Sequence, residues 1–66
     1  MEIEEAIQRT RKEAGGLRKY AEYCRVMGDD MIAAHKECDA FAMETVCDKL
    51  EAFLRRQEED NSYHSR

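Results

Sequence analysis

Two thiols and an imidazole, Cys24, Cys38 and His35, are the side chains best suited to chemistry in this chain. His35 and Cys38 stand three apart, which on a helix places them on one face. A hairpin folded about residue 29 lays Cys24 across from them. Two thiolates and an imidazole are ordinary zinc ligands, and Glu37, Asp39 or a water would complete the set. No Cys-x-x-Cys pair accompanies them, and lone cysteines on helix seams commonly serve as small apolar packing. Packing without metal or cofactor is therefore the expectation, with zinc at Cys24, His35 and Cys38 as the sharper alternative. Nucleophilic catalysis by Cys24 with His35 as base needs oxyanion donors in a concave, water-excluding pocket. A helical hairpin offers neither, so no enzyme is expected. The carboxylate pairs Glu4-Glu5, Asp29-Asp30 and Glu58-Glu59 are adjacent in sequence and so point to different faces. None belongs to a Glu-x-x-His di-metal pattern.

A second constellation is aromatic and basic. Tyr20 and Tyr23 share a helix face near Arg18 and Lys19. Such rings with cations at hand hold a nucleotide or a peptide by stacking and cation–π contact, or form the rim of an interface. Gly15-Gly16 lies just before them. Two glycines inside a helix each cost about 1 kcal/mol relative to alanine. The pair implies a kink or a break, or else close approach to a partner helix or ligand. A phosphate loop would need a preceding strand and a following Lys-Ser/Thr, and has neither. Gly15, Gly16, Arg18, Lys19, Tyr20 and Tyr23 make up the candidate surface for a partner or a small anionic ligand.

The elements that must position these groups are helices. Ile3, Ile7, Thr10, Ala14, Leu17, Ala21 and Cys24 recur at steps of four and three, a narrow heptad seam that another helix normally covers. Gly28-Asp29-Asp30 closes the first helix with a residue free to turn left-handed and offers a cap to the next. So short a connection makes the two helices antiparallel. The expected fold is all-α: helix 2–27, turn 28–30, helix 30–58, and a disordered tail over 61–66.

The second helix is apolar around too much of its circumference for a hairpin. One stripe, Met31, His35, Cys38, Ala42, Val46, Leu50 and Phe53, is expected to cover the first helix's seam. That register sets Cys24 against His35, Leu17 against Phe41 and Ala42, and Ile7 near Phe53. A second stripe runs Met43, Cys47, Leu50 and Leu54, while Tyr20, Tyr23, Val26 and Met27 lie beside the first helix's seam, and a monomer would leave several of these wet. Monomers rarely tolerate a patch of that size. Dimerisation into an antiparallel four-helix bundle covers it, with Ile7, Leu17, Met43, Val46, Cys47, Leu50, Phe53 and Leu54 as expected interface residues.

Sixty-six residues permit one domain, near the size at which a lone core is marginal. The formal charge of −4, with acids and bases interspersed, argues against nucleic acid as a partner, since phosphate contacts need a clustered basic footprint. No apolar run approaches the roughly 18 residues of a bilayer span, and the acidic opening Met1-Glu2-Ile3-Glu4-Glu5 lacks the pattern of a secretory signal. A cytoplasmic protein with no membrane partner is expected, and its odd number of cysteines fits free thiols.

The opening Ile3-Glu4-Glu5-Ala6-Ile7, the segment Cys38-Asp39-Ala40-Phe41-Ala42-Met43-Glu44 and the closing Leu50-Glu51-Ala52-Phe53-Leu54 resemble small helical proteins of phages and mobile elements of Gram-positive bacteria. That resemblance implies a protein that binds other proteins, for instance to block a host defence, or that sequesters a signalling nucleotide. The expected function is accordingly a non-enzymatic homodimer that binds and modulates or blocks another protein. The alternative is an oligomeric bundle that captures a small anionic ligand.

Overall fold

A computed structural model describes residues 2–64, and within them the chain is two helices and no strand. Helix α1 spans Ile3–Val26 and helix α2 spans Asp30–His64. They pack side by side as an antiparallel hairpin with principal dimensions of 59 × 17 × 13 Å. The radius of gyration is 16.4 Å, against roughly 11 Å for a compact domain of this length. Among the described residues there is no third layer.

The turn follows from its residues. Gly28 has φ of +87°, a conformation that costs a residue with a Cβ about 1–2 kcal/mol. Its N–H donates to the carbonyl of Arg25 at 3.1 Å, and the N–H of Asp29 donates to that of Cys24 at 2.8 Å. These two bonds form a Schellman closure, which satisfies carbonyls that the end of α1 would otherwise leave unpaired. Asp29 then caps α2, its carboxylate accepting from the N–H of Ile32 at 3.4 Å.

The heptad reading of α1 holds from Ile7 onward, whereas Ile3, the first residue of the expected seam, is 46% exposed. Ile7, Ala14, Ala21 and Cys24 are buried, and Thr10 and Leu17 are half-buried. Helix α1 is also continuous through Gly15 and Gly16, with neither kink nor break. A Cβ built on either glycine meets nothing within 4 Å, so no packing within the hairpin calls for them.

Helix α2 turns a different face inward than its large apolar residues suggest. Ala33, Ala40 and Cys47 cover the seam, whereas Met31, His35, Cys38, Ala42, Val46, Leu50 and Phe53 are all exposed. The pairing changes accordingly. Cys24 packs with Ala21 and Ala33 rather than against His35, and the Cys47 thiol donates to the carbonyl of Ile7 at 3.7 Å. The physical reason is size. Ala14 and Ala21 form a shallow seam, and a facing file of small residues lets the backbones close on it. A file of Val, Leu and Phe would hold them apart.

Helix α2 also runs to His64, through Asn61–His64 where the sequence suggests a tail, because no Gly or Pro intervenes to stop it. Ser65 and Arg66 of that expected tail lie outside the described residues.

Candidate functional site

The two flanks of the hairpin seam differ in character. One is closed by a ladder of ion pairs. Arg25 donates from both terminal nitrogens to Glu37, at 2.5 and 2.7 Å. Arg18 donates to Glu44 from Nε at 3.1 Å and from Nη2 at 2.6 Å. Arg11 donates from Nη2 to Glu51 at 2.5 Å and to Asp48 at 2.9 Å. The arginines recur every seven residues along α1 and the glutamates every seven along α2, so each heptad contributes one rung. Paired arginine–carboxylate geometry of this kind is directional. The hydrogen bonds from Arg25 and Arg18 hold the Glu37 and Glu44 carboxyls below their ordinary range.

The ladder was legible in the spacing of Arg11, Arg18 and Arg25 against Glu37, Glu44 and Glu51, although the helix stripes alone do not point to it. The acidic file continues at both ends, with Asp30 before and Glu58 after. A slip by one heptad would therefore still match charges, and it is the short turn at Gly28 that fixes the register. The outermost rung is mismatched: Glu4 shares a surface depression with Glu51, Leu54, Arg55 and Glu58.

The other flank is apolar. Tyr20 and, seven residues before it, Glu13 follow the α1 side of this flank, while Ile32, Met43, Val46, Leu50 and Phe53 follow the α2 side at helical spacing. Lys36 sits 5.8 Å from the Tyr20 ring centre, which places both on this flank. Val46 is 54% exposed and Phe53 50%, whereas Ala14, Ala21, Ala33 and Ala40 are fully buried. The large apolar side chains are thus mostly outside and the small ones inside. Among the described residues, Ile7 is the only large aliphatic side chain that is buried.

Of the expected interface residues, Ile7 and Cys47 lie inside the hairpin seam. Leu17, Met43 and Leu54 are half-buried beside it, and Val46, Leu50 and Phe53 are exposed. Of the expected ligand surface, Tyr20 and Tyr23 stack with ring centres 6.2 Å apart. Arg18 is committed to Glu44 across the seam, and Gly15, Gly16 and Lys19 are exposed.

The Cys24, His35 and Cys38 set is not assembled. Cys24 is buried in the seam, while His35 and Cys38 line an open depression of about 310 Å³ with Met31, Ala34 and Asp39 on the outside of α2. Among the described residues no three His, Cys, Asp or Glu side chains are grouped to hold a metal, and no helix is long and apolar enough to cross a membrane. No protein family, no curated protein and no solved structure matches the chain.

Proposed function

We propose that this protein is a non-enzymatic interaction module that pairs with a second copy as a four-helix bundle and binds another protein to modulate or block it. It would act as small phage and mobile-element proteins do. The observation that supports this reading is the inverted distribution of size. An alanine-lined seam stabilises little, because burying apolar surface contributes about 25 cal/mol per Å² and alanine brings few square ångströms. Exposed Val, Leu, Phe, Met and Tyr side chains are what an association would bury.

The partner-binding surface is placed on the outer side of α1, at Lys19 and Tyr23, and at the hairpin tip, where Met27 is 66% exposed and Met31 81%. Unbranched methionines on such a surface adapt to a partner's shape. Arg18 is left out of it, being paired with Glu44. The test is purification from the native host with quantitative mass spectrometry. One protein in stoichiometric amount should accompany the wild type and be lost from a Tyr23→Ala, Met27→Ala, Met31→Ala variant that still dimerises. Equal recovery with both chains, or no stoichiometric protein with either, contradicts the proposal.

A second reading draws on the depression of about 460 Å³ lined by Tyr20, Met31, Ile32, His35 and Lys36. An aromatic ring beside an ammonium and an imidazole suits a flat anionic ligand such as a nucleotide. Melting temperatures that rise with added nucleotides support capture, and no shift across a broad panel counts against it.

A further inference from the structure

We infer that a second copy of this chain covers the flank opposite the Arg–Glu ladder, in an isologous pairing that leaves the ladder facing water. The inference rests on the self-association proposed above and names its surface. On the ladder flank Arg11, Arg18 and Arg25 already have their partners within the hairpin. That flank has no unpaired charge in the ladder to offer and few apolar residues. The opposite flank takes Leu17 and Tyr20 from α1 and Met43, Val46, Leu50 and Phe53 from α2. Helix α2 contributes from Met43 to Phe53 and α1 adds Leu17 and Tyr20, so the surface is a stripe along α2 that widens onto α1 at Tyr20.

The area leaves room for a whole second hairpin. The chain exposes 5517 Å², whereas a compact monomer of its 7.7 kDa exposes about 4,300 Å². The excess is roughly 1,200 Å², and a standard interface removes about 800 Å² from each partner. One hairpin laid on the apolar flank therefore takes up most of the excess. Charges of both signs, Glu13, Lys36 and Asp39, fall on this flank by their spacing, so Lys36 of each copy offers a counter-charge to the acids of the other. A covering partner must also be present whenever the chain folds, because the alanine seam buries so little. A second copy meets that condition at every synthesis.

The test is the mass in solution of three full-length variants, by light scattering on a sizing column. Phe41, 66% exposed, lies away from the proposed flank by its helical spacing, and Phe41→Glu should remain a dimer like the wild type. A Val46→Glu, Leu50→Glu chain and a Val46→Lys, Leu50→Lys chain should each lose the dimer, and an equimolar mixture of the two should regain it as a heterodimer. The mixture keeps the test decisive even if each variant alone is unfolded. A dimeric Val46→Glu, Leu50→Glu chain, loss of the dimer in Phe41→Glu, or no heterodimer on mixing overturns the assigned flank while self-association stands. A folded wild-type monomer overturns both.

Discussion

Replacing Gly15 and Gly16 by alanine should stabilise this protein, and by an amount that the geometry bounds. Both residues lie inside α1 with helical backbone, both are exposed, and an added Cβ meets nothing within 4 Å. Only the conformational term is then left. Glycine in a helix interior is worse than alanine by about 0.5–1 kcal/mol, so the double variant should gain roughly 1–2 kcal/mol per chain. For a domain of this size each kcal/mol moves the melting temperature by about 4–8 °C. The assay is thermal melting followed by helical circular dichroism, at matched protein concentration because the proposed association would make the midpoint concentration-dependent. Gly28→Ala is the internal control. It also meets no neighbour, but its φ of +87° should cost about 1–2 kcal/mol. The same chemical change is thus expected to have opposite signs at two sites of one chain. A lower melting temperature for Gly15→Ala or Gly16→Ala would refute the reasoning, and would mean that another molecule closes on the outer side of α1.

Further expectations follow from the seam, the cap and the ladder. Ala40→Leu, at a fully buried position, should push the helices apart and cost about 1–3 kcal/mol in chemical denaturation; a neutral result would show that the seam is loosely closed. Asp29→Ala removes the carboxylate that caps α2 and should cost about 1 kcal/mol, measured in the same way. Glu37 and Glu44 are held below their ordinary range by hydrogen bonds from Arg25 and Arg18. A depressed carboxyl contributes stability above its unfolded value and loses it as pH falls through the folded one. Melting temperature should therefore fall on acidification through and below the usual carboxylate range, and Glu37→Gln with Glu44→Gln should flatten that fall. An unchanged acid limb would remove the ladder from the account. Thiol labelling of the native protein should modify Cys38 rapidly and Cys24 and Cys47 slowly, and three equal rates would contradict the burial.

Much of the architecture could be read from the residues. The four-and-three spacing that runs through Ile7, Thr10, Ala14, Leu17, Ala21 and Cys24 marked the buried side of α1, and Gly28-Asp29 marked the turn, because each has one physical solution. The inward face of α2 could not be read from hydropathy, since Val46, Leu50 and Phe53 are the stronger apolar signal and Ala33, Ala40 and Cys47 the weaker. Close packing reverses that order, as small residues meet an alanine seam better than large ones. The same reversal separated Cys24 from His35 and Cys38, whose apparent meeting depended on the other register. Gly15-Gly16 misled in a simpler way: neighbouring good helix formers such as Glu13, Ala14 and Leu17 carry the helix through.

The most direct test of the account is sedimentation equilibrium of the wild-type protein over a range of micromolar concentrations, with helicity recorded on the same samples. Large apolar side chains outside and alanines inside predict a helical species of twice the 7.7 kDa chain mass, with helicity falling as dilution separates the copies. A fully helical particle of single-chain mass at every concentration would contradict the central claim.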